Sequence, residues 1–197
     1  MVDKRPVLLE LYRRARLKKL LSQNCHGKQR AFAFSSSKRT AARAGRRGGK
    51  STALAGKFIA TAIDAPDGLS VFIAISAARA NEIIGTALRK LGRAIGWAPK
   101  PTSRDGQLLW IFPNGHRLWV AGCKNKAEAE KFRGSAYHGA AIDEADSIRG
   151  HLEYLVDDVL DPCLLDVDGW LALTGTPGVT PIGFFWEVTT GEGRRSQ

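Results

Sequence analysis

Across residues 6–22 the apolar positions Leu8, Leu11, Ala15 and Leu20, joined by Tyr12 and Leu21, recur at helical spacing with Arg13, Arg14, Arg16, Lys18 and Lys19 between them. That period predicts a basic amphipathic helix. Residues 35–47 are rich in Ser, Arg, Lys and Gly, and only residues 40–44 read as a buried strand of small side chains ending in a loop. Residues 51–63 carry Ala, Leu, Phe and Ile without a proline and stop at Asp64-Ala65-Pro66-Asp67-Gly68, which predicts a helix with a defined end. The run 70–76 is almost wholly apolar, the pattern of a strand covered on both faces. A further helix is expected over 78–95, and residues 107–122 predict a hairpin around Asn114-Gly115. Residues 125–132 are helical and charged. Two more short apolar runs follow, 139–142 leading into Asp143-Glu144 and 170–173 leading into Thr174-Gly175-Thr176-Pro177. Short buried strands alternating with helices imply an α/β fold with a largely parallel central sheet flanked by helices, plus a β-hairpin. Trp97, Trp110, Trp119, Trp170 and Trp186 lie mostly in or beside these runs and are assigned to the core.

Composition narrows the picture. The chain has 197 residues, of which 44% are hydrophobic, enough for one domain with a sizeable core, and this excludes disorder throughout. Its net charge of +11 is uneven: residues 1–50 hold 15 of the 30 Lys and Arg but only Asp3 and Glu10 among the acids. A basic head on a near-neutral body points to a polyanion partner or a phosphate site. Cys25, Cys123 and Cys163 are odd in number and form no C-x-x-C pair, so neither a disulfide framework nor a zinc site is readable and a reducing compartment is expected. No apolar run approaches the roughly 18 residues of a membrane helix, and the N-terminus has no signal-peptide core, so the chain is expected to be soluble.

The chemistry concentrates in Ala44-Gly45-Arg46-Arg47-Gly48-Gly49-Lys50-Ser51, between a predicted strand and a predicted helix. This nearly fills the phosphate-loop pattern G-x-x-x-x-G-K-[ST], with Ala44 in place of the first glycine. Glycines let backbone N–H groups curl around phosphate oxygens, and the helix that follows points its positive end at them. Lys50 would reach the β- and γ-phosphates, and the Ser51 hydroxyl would hold Mg²⁺. The alternative is a flexible Gly/Arg loop touching nucleic-acid backbones. A phosphate loop also needs an acid on a neighbouring strand: Asp143 would be the second Mg²⁺ ligand and Glu144 would polarise the attacking water. Asp157-Asp158 and Asp166-Val167-Asp168 are taken as solvated surface. The hydroxyls of Thr174 and Thr176, with Gly175 between them, could sense the γ-phosphate.

Loop, acid pair and T-G-T-P tip, in this order and spacing, resemble the ATPase domain of the large terminase subunit, the DNA-packaging motor of tailed bacteriophages, from about Gln29 to about Trp186. That family often carries an irregular first glycine and a G-R-R-x-G-K-S core, as residues 45–51 do here. The resemblance implies a RecA-like P-loop fold, ATP and Mg²⁺ as ligands, and double-stranded DNA, the portal protein, the small terminase subunit and a homo-oligomeric ring as partners, in the cytoplasm of a bacterial host. It further implies that Gln29 reads adenine, that Arg46 contacts the γ-phosphate from the same subunit, and that Arg133 acts on a neighbour's ATP. The nucleotide set is then Gln29, Gly45, Arg46, Arg47, Gly48, Gly49, Lys50, Ser51 and Thr52, and residues 174–176 form the coupling motif. For Gln29 an ordinary exposed side chain is the alternative, and for Arg133 a pair with Glu128 or Glu130.

Residues 1–28 are expected to form a basic helical segment and 29–197 the ATPase domain. Family members also carry a C-terminal nuclease domain, so no nuclease activity is expected from this chain and a truncation or fragment is inferred. Two competing readings use the same residues. Asp143-Glu144-Ala145-Asp146 taken as a D-E-A-D box would make the chain half of an RNA helicase, although such helicases carry S-A-T where this chain has T-G-T-P. A basic nucleic-acid-binding module without catalysis would account for residues 1–47 and leave the acid pair and the T-G-T-P tip unexplained.

Overall fold

The computed structural model describes residues 5–45, 47–148, 150–176 and 182–190. Its strands are β1 (Arg39–Arg43), β2 (Leu69–Ala74), β3 (Lys100–Arg104), β4 (Gln107–Ile111), β5 (Arg117–Gly122), β6 (Gly139–Ile142) and β7 (Trp170–Gly175). Its helices are α1 (Arg5–Gln23), α2 (Gly27–Ala33), α3 (Lys50–Asp64), α4 (Ala77–Ala94), α5 (Lys126–Ala129), α6 (Leu152–Tyr154), α7 (Asp161–Leu165) and α8 (Phe184–Thr190). A π-helical stretch, Leu155–Leu160, joins α6 to α7.

All seven strands form one sheet in the order β1-β7-β6-β2-β5-β4-β3. The first five in that order run parallel, and β4 and β3 add an antiparallel margin. β7 is inserted between β1 and β6, so the strand that leads into residues 44–51 and the strand that leads into Asp143-Glu144 are both neighbours of β7 and not of each other. Strand pleating sorts the side chains. Phe72, Ala74, Leu118, Val120, Ala141, Trp170 and Ala172 face a core with Leu54, Phe58, Ile63, Ile84 and Leu88 of α3 and α4. Val71, Ile73, Trp119, Ala121, Ala140, Ile142, Leu171 and Leu173 face a second core with Phe132, Leu152, Leu155, Val159 and Phe184. Each such large side chain taken from water stabilises the fold by about 1.5–3 kcal/mol. Both faces of the central strands are covered, which is why β2 and β6 read as almost wholly apolar runs.

Gly139 shows how tightly the layers meet: a Cβ there would lie 2.3 Å from Cε2 of Trp170. Trp170 in turn donates from Nε1 to Thr61 Oγ1 at 2.8 Å. Lys57, buried on the same face, donates to the Ser35 carbonyl at 3.0 Å, and burial pushes its ammonium pKa down to about 8. At the opposite end of the sheet from the strand tips, buried His116 sits between Ser70 Oγ (3.0 Å) and the Ala65 carbonyl (2.8 Å), with burial holding its pKa down at about 4.

Several expectations change. β1 is a half-exposed edge strand and not a buried one, because β7 is its only partner among the described residues. α1 forms as predicted, but its N-terminal half overruns the α3 surface: Leu8, Leu11 and Tyr12 are exposed, and only Leu17, Leu20 and Leu21 reach the core. Trp186 is half-buried under the Arg43 guanidinium, 4.1 Å from its ring centre, and not a core residue. Asp157 and Asp158 belong to the helical run between Leu152 and Leu165, with Asp157 only half-exposed. Leu21 and Cys25, from the basic N-terminal segment, pack into the core, and α2 runs across residue 28.

Candidate active site

The parallel strands all end at one edge of the sheet, and the loops there enclose an open cleft of about 860 Å³. Crevices at the carboxyl ends of parallel strands are where α/β sheets bind ligands. Of the predicted nucleotide residues, Gly45, Arg47, Gly48, Gly49, Lys50, Ser51 and Thr52 line it, together with Asp143, Glu144 and Thr176.

The loop leaves β1 and turns on a hydrogen bond from Gly48 N to Gly45 O (3.1 Å). Arg47 (φ 64°) and Gly49 (φ 80°) both take the left-handed conformation, which curls consecutive N–H groups toward one side. Gly49 is the N-cap of α3 and no side chain caps it, so the leading N–H groups of this 15-residue helix are left for a ligand. Lys50 Nζ donates to the Ala44 carbonyl (2.8 Å) and to Thr176 Oγ1 (2.9 Å), stretching from the end of β1 to the end of β7.

On the facing wall Asp143 leaves β6 with its N–H bonded to Ile73 O at 2.9 Å. Its buried carboxylate accepts a 2.6 Å hydrogen bond from the buried Thr174 hydroxyl. The T-G-T tip therefore touches both halves of the site, Thr174 on the acid and Thr176 on the lysine. Glu144 adopts φ 50°, a conformation that costs a non-glycine residue energy and that clusters at functional positions. It is half-buried and faces the cleft. Hydroxyl, carboxylate, ammonium and free N–H groups converge here, a donor set that fits a magnesium-bound triphosphate.

Arg46 and Pro177 lie outside the described residues. Gln29 is buried but does not line the cleft; its amide donates to Gly49 O (3.3 Å) and accepts from His26 N (3.3 Å), so it ties α2 to the phosphate loop. Arg133 is likewise away from the cleft lining. It donates to Glu130 Oε2 (2.7 Å), Asp158 O (2.6 Å) and the Tyr154 hydroxyl (3.1 Å). Tyr154 also donates to Glu130, and these bonds, first from Tyr154 and then from Arg133, hold the Glu130 carboxyl below its ordinary range.

Five lining residues were not anticipated: Ala74, Ile75, Arg79, Ile83 and Ser147. The pairing of β2 beside β6 brings Ala74, Ile75 and the start of α4 to the cleft, which no local sequence pattern reveals, while Ser147 follows Glu144 in the turn after β6.

Residues 42–155, more than half of the chain, match the family described as terminase large subunit, T4likevirus-type, N-terminal. No curated protein matches the chain. Among solved structures, the large terminase ATPase domain of Thermus phage P74-26 is similar in fold, with 23% identity and a TM-score of 0.64 over 86% of this chain and 70% of that one. The large terminase of a thermophilic bacteriophage, in complex with ADP, gives 13% identity and a TM-score of 0.61, covering 75% of this chain and 38% of that one. The HK97 bacteriophage large terminase gives 14% and 0.58, covering 85% and 37% respectively. The seven-stranded, mostly parallel sheet is the RecA-like arrangement of these ATPase domains. The match favours the terminase reading of the chain over a helicase or a non-catalytic module, and the chain belongs to the terminase large subunit family, matching its N-terminal part.

Proposed function

We propose that the cleft hydrolyses magnesium-bound ATP and that residues 45–52, 143–144 and 174–176 divide the work as follows. The N–H groups of the loop and of the first turn of α3, with Lys50, hold the β- and γ-phosphates. Ser51 and Asp143 would hold Mg²⁺, which when bound neutralises charge on the phosphate oxygens. Glu144 orients the attacking water and takes its proton. Arg46 neutralises charge developing on the γ-phosphoryl group from the same chain, and Arg133, held out on the surface by Glu130 and Tyr154, serves a neighbouring copy in a ring. Gln29 contributes from behind Gly49, and residues 29–197 act as the ATPase unit with 1–28 as its basic extension.

Lys50 carries this reading: it reaches from the uncapped start of α3 to Thr176, whose strand also holds Asp143 through Thr174. A γ-phosphate taking Lys50 away from Thr176 would free the T-G-T tip, which is how hydrolysis would be felt at β7 and transmitted to double-stranded DNA. The small terminase subunit and the portal protein are the proposed partners, in the cytoplasm of the bacterial host. Lys50→Ala tests the reading: it should abolish ATP binding, and undiminished binding would remove its basis.

A further inference from the structure

Arg79 faces the same cleft, and neither the phosphate loop, the acid pair nor the T-G-T tip gives it a task. Its place follows from strand register. Ile73 of β2 pairs with Ile142 of β6, so Ile75 leaves β2 at the level where Glu144 leaves β6, about one strand spacing, roughly 4.8 Å, to the side. Ser76 then caps α4, its Oγ accepting the Arg79 N–H at 3.4 Å, which fixes the backbone of the first turn. Along the strand tips the order β1, β7, β6, β2 sets out in a row the phosphate loop, the T-G-T tip, the acid pair and the start of α4. If the loop holds the β-phosphate and Glu144 works on the attacking water, the γ-phosphate lies between them. The next charged side chain along that row is Arg79, flanked in the cleft wall by Ile75 and Ile83.

The state of the guanidinium agrees with a waiting role. Arg14, Arg39 and Arg133 are in ion pairs, and Arg43 and Arg89 stack on Trp186 and Trp110. Arg79 is exposed and has no hydrogen bond, ion pair or ring contact with any described residue beyond its backbone cap. A planar guanidinium with no side-chain partner among the described residues suits a phosphate oxygen pair. We propose that Arg79 contacts the γ-phosphate of ATP bound in its own chain, so that the cleft prefers ATP to ADP. The inference rests on the phosphate-loop reading above and adds to it an arginine that belongs to neither the loop nor a neighbouring copy.

The test is equilibrium binding of MgADP and of the magnesium complex of the β,γ-imido analogue of ATP to the 197-residue chain and to its Arg79→Ala, Arg79→Lys and Lys50→Ala variants. Losing one charge-assisted hydrogen bond should weaken binding of the ATP analogue about tenfold in Arg79→Ala while changing ADP affinity less than about twofold. Arg79→Lys should recover part of the preference. Because the side chain is exposed and makes no hydrogen bond or ion pair with any described residue, Arg79→Ala should melt with the parent. An analogue-to-ADP preference in Arg79→Ala that stays at the parent value overturns the inference, and if Lys50→Ala has meanwhile lost both ligands the phosphate-loop reading stands without it. If Lys50→Ala binds both ligands as the parent does, that reading fails and the inference falls with it.

Discussion

Replacing Thr174 by Val exchanges one hydroxyl for a methyl at a position where the hydrogen bond to Asp143 is the principal loss. Thr174 is 1% exposed and Asp143 3%, and the Oγ1 to Oδ1 distance is 2.6 Å. A hydrogen bond to a charged acceptor contributes about 1.5–3 kcal/mol, and its loss leaves a buried carboxylate oxygen with one donor fewer. The side-chain outline is kept, so no cavity term enters. The expected cost is therefore about 2 kcal/mol, which for a domain of this size lowers Tm by about 4–8 °C. Thr174→Ser keeps the hydroxyl and loses only a methyl, and should cost about 1 kcal/mol. The carboxylate is also a proposed metal ligand, and removing a group that orients a ligand typically weakens metal binding about 10–100-fold, so the Mg²⁺ concentration that half-saturates ATP hydrolysis should rise by a similar factor in Thr174→Val. Urea melts and a magnesium titration of turnover read both effects. If Thr174→Val melts with the parent, or Thr174→Ser is as damaged as Thr174→Val, the bond does not have the role assigned to it.

Gly49→Ala places a Cβ 2.4 Å from Gln29 Nε2 at a residue with φ 80°, so Gln29 or the loop must move, and ATP affinity should fall about tenfold or more in a filter-binding or fluorescence assay. Gly139→Ala drives a methyl into the Trp170 ring between β6 and β7 and should cost about 3 kcal/mol in urea melts, while turnover of the folded fraction stays near the parent value. His116 is held neutral, with its folded pKa at about 4 below the ordinary 6.5, so the unfolded chain binds the extra proton. Its contribution is full above pH 6.5 and is lost as pH falls toward 4, a slope worth about 3 kcal/mol in total. Melts across that range should show the loss, and His116→Asn should flatten the slope.

The sequence exposed those parts of the fold whose side chains carry their own signal. β2, β6 and β7 are covered on both faces, so their apolar runs were legible, and the glycine-rich run at residues 45–51 was legible as the loop between β1 and α3. β3 was not legible, because Lys100-Pro101-Thr102-Ser103-Arg104 has no apolar alternation and exists as a strand through its pairing with β4. The hairpin was legible, but not that β5 lies parallel to β2 inside the main sheet, since partner choice is decided by tertiary packing. The spacing of Leu8, Leu11 and Tyr12 gave the helix but not that these side chains are exposed: periodicity fixes a face and does not say how far a covering surface extends. Gln29 was legible as a residue of interest; its bond to Gly49 depends on α2 folding back against α3. Arg79 and Ile83 entered the cleft only through strand order.

The central claim is that Asp143 and Glu144 serve an ATP held on the loop at residues 45–52. The most direct measurement is ATP binding and ATP turnover by the Glu144→Gln variant, side by side with the parent chain. The amide keeps the size of the side chain and cannot take a proton from water, so binding should be unchanged while turnover falls about 100-fold or more. Full turnover in Glu144→Gln, or loss of binding together with turnover, would contradict the account.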